Sequence, residues 1–370
     1  MSVSREQKNV ASALFFLAPN FLGYLAFTAF PVLLSLWLSL TNHSLKPSVN
    51  LRFTGLENYL QLIADRYFWF YFYNTVYFML GIPIGIAGSL GLAVLLSKPL
   101  TLGRGRSRIL LSAGFALIGI VAGAATWGSG NPDAGLLLFV LGFLGAAGVL
   151  AGNVAFRTTF YLPHFTAGVA LIILWTQLYN PNFGLINVTL GKLTGAIGWR
   201  PELPTWLAST ESLLGFLPLP EHFNNGGFGL GAREAIMIMG IWTGIGGNSM
   251  LLYLAGISNI PVELYEAADI DGAGNGGKFW SVTWPQLMPT TFFIVIMATI
   301  GGLQGGFEQA RVMTQGGPAG ITTTLSYYIY TLAFEQLNLG YACSVAWVLF
   351  IIIFGLTVLN WRYGNRYVSY

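Results

Sequence analysis

The 370-residue sequence is poor in charge, and this scarcity decides its class. Asp, Glu, Lys and Arg make up only 8% of the chain, whereas 54% of the residues are hydrophobic. Soluble domains carry about 25% charged residues, so a globule surrounded by water is excluded. The chain is predicted to lie in a membrane.

Cysteine and clustered metal ligands are also scarce. The one cysteine, Cys343, lies in an apolar run, so neither an intramolecular disulfide nor a thiolate metal cluster can form. The three histidines, His43, His164 and His222, are scattered without the spacing of metal ligands. The net charge of +3 is spread along the chain. We therefore expect no metal site and no nucleic-acid partner.

Long apolar runs, by contrast, are abundant. Runs near the ~20 residues that cross a bilayer predict eight helices. They lie at 12–38, 71–96, 109–128, 135–155, 159–179, 235–257, 287–307 and 339–362. Barrel strands would instead alternate over ~10 residues, so the predicted fold is all-α. The first run is too long for the ~7 to 15 apolar residues of a signal peptide and is predicted to remain as a span.

The distribution of charge predicts the orientation. With both termini in the cytoplasm, ten of the 17 Lys and Arg fall inside, and the segments 41–70 and 180–234 fall outside. The cluster Arg104, Arg106 and Arg108 after the second span is the strongest single orienting signal. We predict a multi-pass protein of a bacterial or archaeal cytoplasmic (inner) membrane.

The cytoplasmic segment 258–289 carries the most information. Pro261 is suited to the start of a helix, and Glu263 lies in the first turn, where the helix dipole favours a carboxylate. Ala267 and Ala268 leave a ridge with little side chain, and Gly272 is suited to ending the helix in the left-handed conformation. A second short helix is predicted at 278–282. The segment is therefore predicted to be a helix-turn-helix that seats in a partner's groove.

Part of this segment imitates a phosphate-binding loop. Gly272 to Lys278 fits the first seven places of G-x-x-x-x-G-K-[ST], but the eighth is Phe279, which has no hydroxyl for Mg²⁺. The preceding residues also read as a helix, where the motif requires a strand. We therefore expect that this chain binds no cofactor and that ATP, if used, is hydrolysed by another chain.

The same segment carries a family resemblance. Glu266-Ala-Ala and Asp271-Gly272-Ala273, followed at matching spacing by Phe279, Pro285 and Pro289, are similar to the EAA loop of importer permeases. Two further stretches, Leu17 to Tyr59 and Thr314 to Ala342, resemble sugar permeases. The chain is identified as a member of the permease subunits of binding-protein-dependent ABC importers, in the carbohydrate-uptake branch of maltose and glycerol-phosphate type.

The resemblance implies a type I importer fold and a set of partners. These are a second permease subunit, an ABC ATPase dimer that holds ATP and Mg, an extracytoplasmic solute-binding protein, and a sugar-like solute. The residues implied to couple to the ATPase are Glu266, Ala267, Ala268, Asp269, Asp271, Gly272, Ala273, Phe279, Pro285 and Pro289.

The sequence departs from the usual six-span subunit at one place. Two extra apolar runs stand between the arginine cluster and Arg157, where the family pattern resumes. The chain is thus divided into 1–108, an inserted membrane hairpin at 109–156, and a core domain at 157–370. The hairpin is predicted to be peripheral and to face lipid.

Residues along the solute path are predicted by type, because sugars are bound by aromatic stacking and by amide or hydroxyl hydrogen bonds. The candidates are Trp175, Gln177, Tyr179, Trp242, Asn248, Tyr253, Gln304 and Glu308. Each has a structural alternative, since an aromatic residue in a span more often packs or anchors at the interface. Glu308 and Arg311 are spaced to pair near the outer mouth.

Two other classes compete with the importer. A secondary transporter or channel needs no ATPase, but an ion-coupled carrier usually buries ionisable groups in its spans, and these spans hold almost none centrally. A membrane enzyme needs a polar catalytic cluster, and no such set stands out in the sequence. We therefore favour a transport subunit that is not itself an enzyme.

Overall fold

The structure is a computed structural model and is almost entirely helical. It describes residues 5–97, 106–128, 130, 132–151, 153–165, 168–199, 201–218, 220, 223 and 227–364. Within these ranges no strand forms, and the β-pairing is limited to isolated bridges joining Thr41 to Phe53 and Ser212 to Phe228. The predicted all-α fold is confirmed. Arg104 and His222 lie outside the described residues.

The helices follow one another along the whole described chain. In order they are α1 (Arg5–Tyr24), α2 (Phe30–Ser39), α3 (Glu57–Ala64), α4 (Arg66–Met79), α5 (Gly81–Ser97), α6 (Arg106–Gly128), α7 (Pro132–Ala151), α8 (Asn153–Phe165), α9 (Val169–Leu178), α10 (Leu185–Ala196), α11 (Ala232–Gly244), α12 (Asn248–Ser258), α13 (Val262–Ile270), α14 (Asn275–Lys278), α15 (Trp284–Gln304), α16 (Phe307–Gln309), α17 (Leu325–Tyr330) and α18 (Leu339–Gly364). Wider π-helical turns lie at Leu25–Ala29, Phe279–Thr283, Ala310–Thr314 and Thr331–Glu335, and a 3₁₀ turn lies at Trp206–Ala208.

Six stretches of the described chain are long and apolar enough to cross a membrane. They are Ala13–Ser39, Arg66–Ser97, Ile109–Gly128, Ala232–Ser258, Asn275–Thr314 and Leu339–Arg362. The span predicted at 135–155 corresponds to α7, whose apolar part is Gly135–Val149. The span predicted at 159–179 is a bent pair, because Phe156–His164 and Val169–Leu178 meet at 98°. Within the described residues, six of the eight predicted spans therefore meet the criterion of length and hydropathy, and the bent pair is a seventh if it crosses as one.

The hairpin of α6 and α7 is held together by glycine. A Cβ atom built on Gly142 would lie 2.4 Å from the Cα of Gly119, so the two backbones touch. The Ser112 hydroxyl donates to the Ala146 carbonyl at 3.1 Å across the same interface. Bulky side chains such as Phe143 point outward and are exposed. The hairpin is therefore self-contained, with its apolar surface turned away from its own interface.

Among the packed clusters that form the core of the bundle, two hold most of the long helices together. One lies between α4, α17 and α18 around Leu325 and Val345, which are fully buried. The other lies between α5, α12 and α15 around Met250 and Leu287. Close packing of this kind fixes the relative positions of the helices that carry the loops at either end.

The loops gather at two opposite ends of the bundle. At one end, which we call the EAA end, lie residues 258–283 and the adjoining Leu96, whose carbonyl accepts from Arg157 Nη2 at 2.8 Å. At the other, which we call the network end, residues 40–66, 201–231 and 315–338 meet.

Candidate functional site

At the EAA end, α13 begins after Pro261 and ends where the sequence predicts. Gly272 adopts a left-handed conformation with φ of 74°. Its N–H donates to the Asp269 carbonyl at 3.0 Å, and the Ala273 N–H donates to the Ala268 carbonyl at 2.9 Å. This pair of bonds is the Schellman motif, which satisfies the last carbonyls of a helix. The predicted glycine break is confirmed.

The second helix differs from the prediction. Helical structure begins at Asn275 and continues through the π-helical turn Phe279–Thr283 into α15, so no separate short helix forms at 278–282. The wide turn precedes Pro285 and accommodates a residue without an N–H. Pro289 lies inside α15. The stretch Asn275–Gln304 is therefore one helical rod with local irregularities, and it ends at Gly305 and the left-handed Gly306 before α16 begins.

Two contacts fasten α13 to this rod. The carboxylate of Asp269 forms an ion pair with the Lys278 ammonium. The hydroxyls of Tyr265 and Thr283 share a hydrogen bond of 2.9 Å. We call α13 and the rod segment Asn275–Thr283 together the EAA arm. These contacts join α13 to the start of the rod.

The exposed face of α13 is partly what the sequence predicts. Glu266, Ala267, Asp269, Asp271 and Gly272 are exposed. Ala268 is buried, so the predicted ridge of two alanines presents only one to a partner. The helical twist of about 100° per residue explains this, since neighbouring residues cannot share one face.

Sequence reasoning missed the apolar part of that face. Val262 and Ile270 flank Glu266 at spacings of four, which places all three on one stripe. Ile270 is 88% exposed, and Val262 and Trp280 are exposed as well. The spacing of four residues between Val262, Glu266 and Ile270 is the sequence pattern that could have predicted this apolar face. Apolar side chains exposed at the end of a bundle indicate a surface that a partner covers.

A groove runs between α5, α11 and α15 and encloses about 330 Å³. Its wall is unusually rich in glycine. The glycines that line it are Gly81, Gly85, Gly240, Gly244, Gly301, Gly302, Gly305 and Gly306. A Cβ built on Gly85, Gly240, Gly244 or Gly301 would meet no atom within 4 Å. The missing side chains are therefore what opens the groove.

The predicted solute-path residues lie around the groove and do not line it. Trp175, Tyr179 and Tyr253 are buried in packing contacts. The Tyr179 hydroxyl donates to the Ala235 carbonyl at 2.7 Å, and the Tyr253 hydroxyl donates to Thr291 Oγ1 at 3.1 Å. These hydrogen bonds satisfy the two phenol hydroxyls within the protein, as expected of aromatic residues that pack between helices.

The other five candidates are exposed. They are Gln177, Trp242, Asn248, Gln304 and Glu308. The Trp242 ring packs edge to face on Trp175, with centroids 5.4 Å apart, and Asn248 Oδ1 accepts from the Tyr161 hydroxyl at 3.0 Å. The groove is lined instead by their neighbours Ser249 and Gln309.

The predicted pair of Glu308 and Arg311 does not form. Among the described residues, the Arg311 guanidinium has no ion-pair partner, and it lies over the Tyr330 ring at 4.2 Å from the centroid. The π-helical turn Ala310–Thr314 follows α16 directly and changes the spacing that a regular α-helix would give.

The network end contains a buried charged cluster that the sequence analysis did not identify. Arg233 is 1% exposed, and its guanidinium donates to Asn74 Oδ1 at 2.7 Å, to the Phe223 carbonyl at 3.0 Å and to the Ile321 carbonyl at 3.2 Å. The rings of Tyr73 and Tyr77 lie 5.2 and 5.3 Å from the guanidinium. One side chain thus ties together three separate segments.

Glu234 completes this cluster and is fully buried. Its Oε1 accepts from the Leu213 N–H at 2.8 Å and from the Tyr77 hydroxyl, and its Oε2 accepts from the Gly231 N–H at 3.1 Å. The last bond belongs to a capping box at the start of α11. Gly231, three residues before Glu234 and ahead of an apolar run, is the sequence pattern that could have predicted this capping box.

A second acid organises the same end. Asp65 Oδ2 accepts from the hydroxyls of Tyr328 and Tyr341, each at 2.7 Å, while Oδ1 caps α4 through the Tyr67 N–H at 2.8 Å. Burial, and then the bond to Asp65, raise the pKa of Tyr328. The phenol therefore stays protonated and remains a donor.

The sequence is similar to membrane components of known transport systems. The family model described as "binding-protein-dependent transport system inner membrane component" matches residues 139–364. The chain is 26% identical over 96% of its length to the probable ABC transporter permease protein YesP of Bacillus subtilis (strain 168), of which it covers 91%. It is 28% identical over 91% of its length to the sn-glycerol-3-phosphate transport system permease protein UgpA of Yersinia pestis bv. Antiqua (strain Antiqua), of which it covers 88%.

Two solved structures share the fold. One belongs to a bacterial ABC transporter involved in the import of the acidic polysaccharide alginate, with a TM-score of 0.65, 19% identity, and coverage of 99% of this chain and 100% of that one. The other is a bacterial alginate ABC transporter in complex with an alginate pentasaccharide-bound periplasmic protein, with a TM-score of 0.63, 18% identity, and coverage of 96% and 94%. The permease fold implied by the sequence is confirmed.

Proposed function

Since the chain belongs to the family of binding-protein-dependent transport system inner membrane components, we propose that it is one of two permease subunits of an ATP-driven importer. Together with a second permease it forms the path for a sugar or related polyol. A solute-binding protein delivers the solute, and separate ATPase subunits supply the energy. The relative named for sn-glycerol-3-phosphate and the structural neighbour named for alginate support a polyol or saccharide skeleton, and they do not determine the charge of the solute.

One observation carries the proposal: the EAA arm and the groove wall share a single rod. The rod Asn275–Gln304 begins in the arm, and further along it Ala298, Gly301 and Gly302 line the groove. An ATPase that moves the arm therefore moves one wall of the groove. Rigid-body motion of packed helices between two arrangements is a common basis of such switching.

The charge and shape of the arm suit an ATPase partner. It presents the carboxylates of Glu266 and Asp271 beside the apolar Ile270, all exposed. An apolar contact rimmed by charge is the pattern of an interface that is buried in the assembled complex. On this proposal the EAA end faces the cytoplasm, and the network end faces the solute-binding protein.

The test is to fill the groove. In Gly240→Leu, the new side chain enters open space, so we expect ATP-driven uptake in liposomes containing the complete transporter to fall at least about tenfold, since a blocked path admits no solute. The thermal unfolding temperature should stay close to that of the wild type, because a Cβ atom at residue 240 meets no other atom within 4 Å.

The matched control is Gly114→Leu, which adds the same side chain to α6, also into open space but outside the groove. It should transport at the wild-type rate. Uptake by Gly240→Leu at the wild-type rate would contradict the groove as the path. Uptake by the wild type without ATPase subunits would instead support a secondary transporter or channel.

A further inference from the structure

Two neighbouring cavities open at the network end, apart from the groove. The smaller encloses about 310 Å³ and the larger about 620 Å³. Both are lined by Glu335 and Gln336, so they adjoin at these two residues. None of the residues lining the groove lines either cavity. We call the pair the outer cleft.

The smaller cavity combines aromatic rings with polar side chains. Tyr71, Tyr327 and Tyr328 line it, and the rings of Tyr71 and Tyr328 meet edge to face at 4.8 Å. Glycine backbone at Gly316 and Gly320 forms part of its wall. Aromatic rings offer a surface for the C–H face of a sugar ring, and glycine lets a ligand approach the backbone closely.

The polar groups of the cleft are free to bind a ligand. Within the described part of the chain, the side chains of Gln315, Glu335 and Gln336 make no hydrogen bond, and all three are exposed. Two amides and a carboxylate together offer donors and acceptors to sugar hydroxyls. By contrast, the Tyr328 hydroxyl is committed to Asp65.

Backbone strain marks the same place. Gln315 has φ of 51° and Leu337 has φ of 60°, although neither is glycine. The bonds from Gly316 N to the Ala310 carbonyl, at 3.0 Å, and from Gly317 N to the Thr314 carbonyl, at 2.9 Å, hold the first of these turns. Left-handed residues other than glycine are costly and concentrate at ligand-binding sites.

The charge of the cleft selects the ligand. Glu335 is the charged residue of the smaller cavity, and the larger adds Lys46 and Glu57. Two carboxylates against one ammonium disfavour a uronate or a phosphate, because like charges repel at close range. The larger cavity also supplies the Gln61 amide for hydroxyl groups, whereas Asn42 and Asn338 already form hydrogen bonds within the chain. The lining therefore suits a neutral ligand that is rich in hydroxyls and longer than one sugar ring.

We propose that the outer cleft is a binding site for a neutral oligosaccharide, with one ring on the tyrosines of the smaller cavity and the next among the amides of the larger. The site lies at the opposite end of the bundle from the EAA arm. It receives sugar before the groove does, and its occupancy does not require ATP.

Binding is tested directly, without transport. Maltotriose is titrated by calorimetry into the full-length chain in lipid nanodiscs, with trigalacturonate as the acidic comparison. We expect saturable binding of maltotriose and none of trigalacturonate. Glu335→Ala should weaken maltotriose binding about tenfold or more, since a hydrogen bond to a charged group is lost. Gln336→Ala should weaken it less.

The control is Glu202→Ala, which removes an exposed carboxylate that lines neither cavity. It should bind maltotriose like the wild type. The proposal is overturned if maltotriose does not bind, if trigalacturonate binds as tightly, or if Glu335→Ala binds like the wild type. Gly240→Leu should keep maltotriose binding while losing uptake, so that failure of the cleft and failure of the groove are told apart.

Discussion

The two ends of the bundle treat charge in opposite ways. At the network end, Arg233 and Glu234 are withdrawn from water and held by hydrogen bonds to distant segments. At the EAA end, Glu266 and Asp271 remain exposed beside the apolar Ile270. A charge that is already paired within the chain fixes the fold, whereas an exposed charge beside exposed apolar surface is available to a partner. The comparison assigns rigidity to one end and coupling to the other.

The physical basis of this difference is desolvation. Moving an ion out of water is expensive, and the cost is offset only where hydrogen bonds satisfy the whole group. Arg233 and Glu234 each have such bonds, so removing either side chain leaves buried groups that it had paired without that partner. The one ion pair described at the EAA end, between Asp269 and Lys278, is partly exposed to water, where pairs contribute little.

The largest expected effect is at the network end. Glu234→Ala leaves the N–H groups of Leu213 and Gly231 without an acceptor and Arg233 without a nearby counter-charge. We expect a loss of about 3 to 5 kcal/mol in the free energy of unfolding. Thermal unfolding of the purified chain in detergent measures it. Glu202→Ala is the exposed control, and a Glu234→Ala protein as stable as that control would break the comparison.

The second effect is at the EAA end and spares the fold. Gly272→Pro cannot adopt φ of 74° and removes the N–H that bonds to Asp269. We expect uptake by the reconstituted transporter to fall at least about tenfold through loss of the helix end, with unfolding of the membrane bundle unchanged. Gly276→Ala is the matched control, because its backbone is ordinary and its Cβ meets no atom within 4 Å.

If Gly272→Pro takes up solute at the wild-type rate, the EAA arm does not couple the ATPase to transport. Equal loss of uptake in Gly276→Ala would show that any change in the loop is harmful, and the left-handed turn would have no special part.

The smallest effect concerns the exposed ion pair. Asp269→Asn should change the free energy of unfolding by less than about 1 kcal/mol, because water screens the pair of Asp269 and Lys278. Uptake should fall by a few-fold at most and recover in the exchanged double variant Asp269→Lys with Lys278→Asp. Failure of the exchange to restore uptake would mean that Asp269 acts on the partner and not on the rod.

Features encoded by neighbouring residues were predictable from the sequence. The long apolar runs predict most of the spans, and the end of α13 follows from Gly272 because a Schellman motif needs only the residues beside it. The burial of Arg233 was not predictable in this way, since Asn74 and Ile321 reach it from 159 and 88 residues away.

The groove that we propose as the solute path shows a different limit. Candidates were chosen by side-chain chemistry, and this choice favoured Trp175 and Tyr253, which the fold uses for packing. The groove is lined by glycines such as Gly240 and Gly301, which have no side chain and so give no chemical signal. Their importance is visible only once three helices have been assembled around them.

The glycine contact between α6 and α7 has a mechanical consequence. Where Gly119 meets Gly142 the contact is backbone on backbone, so no rotamer can change there to make room. A Cβ atom on either residue would lie within 2.6 Å of the other's Cα atom. Any larger residue at these two positions therefore forces the helices apart, and the spacing of the hairpin is set by what its sequence leaves out.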